Sequence, residues 1–112
     1  MDIIKSASDI SYLFAHAKRY NTRSISLLIH RNEDQHDPRG RVAFIAGKKN
    51  GNAVWRNSAK RRMRAIAQDL QAPWAGYDVV FIAKRDILND KYSKVLSNCR
   101  ILIRENVEIQ TQ

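Results

Sequence analysis

Apolar positions recur along the chain in six runs separated by polar breaks, and the period of each run predicts an element. Ile10, Leu13, Phe14 and Ala17 fall at i, i+3, i+4 and i+7 behind Ser8 or Asp9, either of which can cap a helix, and Lys18, Arg19 and Asn21 close it. A helix over about residues 8–19 is expected. Residues 24–30 alternate in part, with Ile25, Leu27 and Ile29 on one side. A polar stretch over residues 32–40, with Pro38 and Gly40, separates that strand from residues 41–46, where Val42, Phe44 and Ala46 share a side. The two strands are expected to pair as a hairpin.

The period then changes to 3.6 from near Val54 to Leu70, and Pro73 forbids further helix. With Arg56 at zero on a helical wheel, Ala59, Met63, Ile66, Ala67 and Leu70 fall between about 280° and 20°, a single core stripe. Arg56, Lys60, Arg64, Asn57 and Arg61 fall at about 0°, 40°, 80°, 100° and 140°, beside the stripe, and Arg62 lies on the opposite shoulder. Residues 77–83 read as a more buried strand. Asp90 is placed to cap a last helix bearing Tyr92, Val95, Leu96, Cys99, Leu102 and Ile103 on one face. The expected order is α-β-β-α-β-α, a mixed α+β sandwich in a single domain over residues 1–112.

Composition narrows the chemistry. The 112 residues carry 20 Lys and Arg against 11 Asp and Glu, a formal net charge of +9. Nine of the cations (Arg39, Arg41, Lys48, Lys49, Arg56, Lys60, Arg61, Arg62, Arg64) lie in residues 39–64, which hold no acidic residue, so the excess is local and predicts a polyanionic partner. No apolar stretch approaches the roughly 20 residues needed to cross a bilayer, and Met1-Asp2-Ile3-Ile4-Lys5 lacks the pattern of a signal peptide, so a cytoplasmic protein with no membrane contact is expected. Cys99 alone makes neither an internal disulfide nor a zinc knuckle. His16, His30 and His36 show no H-x-H or H-E-x-x-H spacing, and the acidic residues do not gather into a metal-holding pair. The polypeptide offers no nucleophile with a base beside it, so no catalytic residue is assigned.

The densest chemistry is the run Lys48-Lys49-x-Gly51-Asn52-Ala53-Val54-x-Arg56-Asn57-x-x-Lys60-Arg61-x-x-Arg64. Glycine permits close backbone approach, Lys supplies point charge, Arg supplies forked donors and Asn both donates and accepts, a set suited to phosphate and sugar. This run resembles the diagnostic motif of the bacterial ribonuclease P protein component, and the order of elements resembles that family over nearly the whole chain. The resemblance implies a ribosomal-protein-S5-domain-2-like sandwich with a left-handed βαβ crossover. It also implies a subunit that binds the catalytic RNA of ribonuclease P and precursor tRNA, and assists removal of the 5′ leader with Mg²⁺ held mainly by the RNA, no protein partner being required.

Carried over by position, Lys48, Lys49, Asn52, Arg56, Asn57, Lys60, Arg61 and Arg64 are the expected RNA-binding residues. Ile10, Phe14 and Leu28, with Ser26 and His30 beside them, are the expected leader cleft. Ile10 and Leu28 stand where the family commonly has aromatics, and Ser58 stands where a third basic residue is frequent, with Arg61 and Arg62 near enough to compensate. The alternative from another class is a non-enzymatic, ribosome-associated RNA-binding protein using the same ridge.

Overall fold

The computed structural model describes residues 1–32 and 39–107. Helix α1 (Ala7–His16) is followed by strands β1 (Lys18–Asn21), β2 (Ile25–Arg31) and β3 (Arg41–Ile45), helix α2 (Ala53–Asp69), strand β4 (Tyr77–Ala83) and helix α3 (Tyr92–Asn106), with short 3-10 turns at Lys48–Asn50 and Arg85–Leu88. Most of the connection read between β2 and β3, with His36 and Pro38, lies outside the described residues.

The observed order is α-β-β-β-α-β-α, one strand more than expected. The helix predicted to reach residue 19 ends at His16, and Lys18–Asn21 becomes an edge strand. Only Tyr20 of that strand faces the main core, so its four residues carry too little alternation to be read. The sheet runs β1-β2-β4-β3. The expected hairpin between β2 and β3 does not form: β2 pairs antiparallel with β1 and β4, and β3 pairs parallel with β4. Both central strands are buried on two faces, and a shared apolar side marks a common core without marking which strands are neighbours. Because β3 and β4 are parallel neighbours, the chain between them must cross over, and α2 is that crossover.

Successive side chains divide between the two faces of the sheet. Ile25, Leu27, Ile29, Val42, Val79 and Phe81 enter the main core beneath α2 and α3, against Ala59, Met63, Ile66, Val95, Cys99 and Ile103. Leu28, Ala43 and Val80 face the other way into a smaller core with Ile4 and Leu13. A ten-residue helix covers only part of that face, leaving Ile45 and Ile82 partly exposed. The N-terminal segment closes the β3 edge: Ile3 bridges to Val42, the Ile4 amide donates to the Val42 carbonyl at 2.8 Å, and the Val42 amide donates to the Asp2 carbonyl at 3.0 Å. Gly40, entering β3 at φ 81°, admits no other residue, since an added Cβ would stand 2.0 Å from the Trp74 carbonyl oxygen.

Candidate nucleic-acid interface

Helix α2 is started by Asn52, whose side-chain oxygen accepts the Trp55 amide at 3.0 Å, a cap that contributes about 1 kcal/mol. Gly51 makes room for Trp55: a Cβ there would meet the indole at 2.7 Å. Both motif residues therefore have work inside the fold. Ala59, Met63, Ile66 and Ala67 are buried and Leu70 packs beside them, which is the stripe the wheel predicts. With that stripe seated on the sheet, Asn57, Arg61 and Arg64 are exposed and Arg56 and Lys60 half-buried. The Arg64 guanidinium carbon lies 5.9 Å from the centroid of the Phe44 ring, which places this flank over β3. Lys48 and Lys49 stand exposed in the turn just before it.

The nine cations of residues 39–64 separate into two populations. Arg39 reaches Asp2 at 3.6 Å. Arg41 forks onto buried Asp78, with Nε to Oδ1 at 3.2 Å and Nη2 to Oδ2 at 2.9 Å, and its Nη1 donates to Asp9 at 3.0 Å. These hydrogen bonds raise its already high pKa further, the bond to Asp78 contributing most. Arg62 turns away from the crest, donating through Nη1 to the carbonyls of Ile87 at 2.9 Å and Asp90 at 2.7 Å, with its guanidinium 5.8 Å from the Tyr92 ring centroid. It clamps α2 to the start of α3 and does not replace the cation missing at Ser58. Lys48, Lys49, Arg56, Lys60, Arg61 and Arg64 remain, and none has an ion-pair partner among the described residues. The Arg56 Nε is buried without a hydrogen-bond partner there.

On the other face, Ile10 packs against the smaller core, whereas Phe14 is 47% exposed and belongs to neither buried cluster. Leu28 is only 2% exposed, so it supports α1 from below and offers no surface. Ser26 is fully buried and donates to Asn21 Oδ1 at 2.6 Å. His30 lies against the exposed ring of Tyr12, with 5.5 Å between centroids. The apolar surface beside α1 thus comprises Phe14 with part of Ile10, together with Ile45 and Ile82, which the sequence pattern does not single out. Incomplete cover is what exposes them: they sit on the sheet face that α1 is too short to span.

The family model for ribonuclease P matches residues 2–106. The chain belongs to the ribonuclease P protein family. A ribonuclease P protein component of Streptococcus agalactiae is 30% identical over 95 residues, covering 85% of this chain and 84% of the relative. One from Paramagnetospirillum magneticum is 45% identical over 60 residues, 52% of this chain and 45% of the relative. Among solved structures, the Staphylococcus aureus protein superposes with a TM-score of 0.79 at 19% identity, over 98% of this chain and 99% of that one. The Thermotoga maritima protein gives 0.78 at 20% identity, over 96% and 100%. Those two likenesses bear on the fold alone.

Members of this family are the protein subunit of an endoribonuclease ribonucleoprotein concerned with tRNA 5′ processing, and this chain takes that place rather than the ribosome-associated alternative. Its partner is accordingly an RNA. No described helix is long and apolar enough to cross a membrane. Among the described residues no group of three or more His, Cys, Asp or Glu stands close enough to share a metal ion. Asp90, expected to cap α3, instead accepts the Ser24 hydroxyl, which with nearby Arg23 holds its carboxyl below the usual range; Lys91 occupies the cap position of α3 and makes no side-chain cap bond. Cys99 is fully buried and its thiol pushed up to about 12 by desolvation, which makes it a poor nucleophile at neutral pH.

Proposed function

We propose that the chain binds the catalytic RNA of ribonuclease P through the crest of α2 and the turn before it, and holds the single-stranded 5′ leader of precursor tRNA beside α1, while Mg²⁺ stays with the RNA. Lys48, Lys49, Arg56, Lys60, Arg61 and Arg64 neutralise phosphates, and Asn57 adds a donor and an acceptor at sugar or base edges. Asn52 acts by starting the helix that presents them. The observation that carries this reading is that six cations on and just before α2 have no ion-pair partner among the described residues, while the other three of the same stretch find carboxylates or carbonyls in the fold. Unpaired cations on one surface release counterions from a polyanion without first breaking internal bonds.

On the opposite face, Phe14 presents a ring that any base can stack on, which favours leader affinity without sequence preference. Leu28 supports this surface from within. Reconstitution tests the whole reading. Purified chain added to ribonuclease P RNA at low Mg²⁺ should restore cleavage of precursor tRNA to the mature 5′ end. Nuclease-treated chain alone should give none; cleavage by the chain alone, or no stimulation of the RNA, contradicts the proposal.

A further inference from the structure

A groove of about 220 Å³ lies between the end of α2 and the last turns of α3, lined by Asp69, Leu70, Gln71, Arg100, Ile103 and Arg104. Neither the crest of α2 nor the surface beside α1 includes it. Arg100 and Arg104 are one helical turn apart on α3, both exposed, and neither has an ion-pair partner among the described residues. Asp69 shares the groove with them but is tied through Oδ2, which accepts the Tyr92 hydroxyl at 2.6 Å. Its Oδ1 accepts no hydrogen bond from the described residues. Gln71 ends α2 in a left-handed backbone at φ 62°, with the Ala72 amide donating back to the Ala67 carbonyl at 2.9 Å, and so turns the chain along the rim of the groove. Leu70 and Ile103 supply apolar walls.

Two forked cations, one acceptor held in place and an apolar floor select a ligand that carries both an anion and hydroxyl donors. A bare anion would gain from the arginines but would be repelled by Asp69. We propose that this groove is a second ribonucleotide site, with the phosphate of a 5′-phosphorylated ribose on Arg100 and Arg104 and a ribose hydroxyl donating to Asp69 Oδ1. The same unit occurs as a free mononucleotide and as a link in an RNA chain.

Titration of ¹⁵N-labelled full-length chain with adenosine 5′-monophosphate, its 2′-deoxy counterpart and inorganic phosphate tests the site without the ribonuclease P RNA. Amide shifts should centre on Leu70, Gln71 and Ile103. The ribonucleotide should bind roughly two- to tenfold more tightly than the deoxynucleotide, the range of one net hydrogen bond. R100A/R104A should abolish the shifts, and since both side chains are exposed its far-UV spectrum should match wild type. D69N, whose amide oxygen still accepts from Tyr92, should reduce the preference for ribose. Shifts elsewhere, equal binding of phosphate and nucleotide, or shifts that persist in R100A/R104A overturn the proposal. Given the ribonucleotide result, the source is read from RNA binding. If R100A/R104A lowers the salt slope for ribonuclease P RNA by roughly 0.7 for each phosphate no longer neutralised, the occupant is an RNA link; an unchanged slope identifies a free nucleotide.

Discussion

The Arg41 network beside α1 and the crest of α2 draw their cations from one acid-free stretch of sequence and use them in opposite ways. Arg41 is largely buried and meets two carboxylates from distant elements, Asp9 of α1 and Asp78 of β4. Lys60 and Arg64, on the crest, meet none among the described residues. A count along the sequence treats these residues alike. The fold distinguishes them, because strand pairing brings Asp78 level with Arg41 while α2 carries its basic flank over β3, where no described carboxylate faces it. Pairing in three dimensions, more than local density, separates structural charge from binding charge.

Asp78 anchors the buried network. Asp78→Ala would leave Arg41 with Asp9 alone and deprive the Asn32 amide, 2.9 Å from Asp78 Oδ1, of its acceptor. A loss of about 3 kcal/mol is expected in urea unfolding, because the forked bonds from Arg41 and the bond from Asn32 to one buried carboxylate are lost together. Replacing the pair together, Asp78→Leu with Arg41→Met, should recover much of that loss. A stability loss below about 1 kcal/mol for Asp78→Ala would mean that the network contributes little.

Arg62 sharpens the contrast within α2 itself. Arg62→Ala removes the donor to two carbonyls and should cost about 1.5–3 kcal/mol, the range for hydrogen bonds from a charged group. Arg61→Ala, one residue away and exposed, should change stability by less than about 0.5 kcal/mol. Equal losses at the two positions would erase the distinction drawn between shoulder and crest.

How far the sequence reveals this arrangement depends on the kind of interaction. The 3.6-residue stripe of α2 is legible because Ala59, Met63, Ile66 and Ala67 touch one continuous core, and the basic flank follows from it by geometry. The β2–β3 hairpin is misread because Val42 and Phe44 share a core with Ile25 and Leu27 without being their neighbours, β4 lying between them. Likewise Leu28, carried over by position from the family as a cleft residue, is covered by α1, whereas Ile45 and Ile82, which no pattern singles out, are left partly open. Which cations are spent inside the fold depends on contacts 25 to 37 residues apart in sequence, and no local pattern encodes those.

Phe14 extends the comparison to the second surface. Phe14→Ala should weaken binding of precursor tRNA by about 1–3 kcal/mol, the contribution of one aromatic-base stack, and leave mature tRNA binding and thermal stability nearly unchanged. Ile10→Phe should act in the opposite direction on precursor alone. Equal loss for both tRNAs, accompanied by a lower melting temperature, would assign Phe14 to the core.

The smallest effect is a proton. Burial, and then the hydrogen bond to Asp69, push the Tyr92 phenol up to about 12. A raised phenol favours the neutral form in the folded state, so this contribution is complete below an ordinary phenol value of about 10 and is lost as pH rises towards about 12. Absorbance titration at alkaline pH should show a last tyrosine step that Y92F removes; an identical curve for Y92F would contradict the assignment.

Arg56→Ala, Lys60→Ala and Arg64→Ala are combined in one variant, with unfolding and RNA affinity measured on one preparation over a range of salt. Free cations on the crest predict a fold that survives, with stability lowered by no more than about 0.5 kcal/mol per site. They also predict weaker binding to ribonuclease P RNA and a salt slope reduced by roughly 0.7–0.9 for each phosphate no longer neutralised. A triple variant that stays folded and keeps wild-type affinity and salt slope would contradict the account.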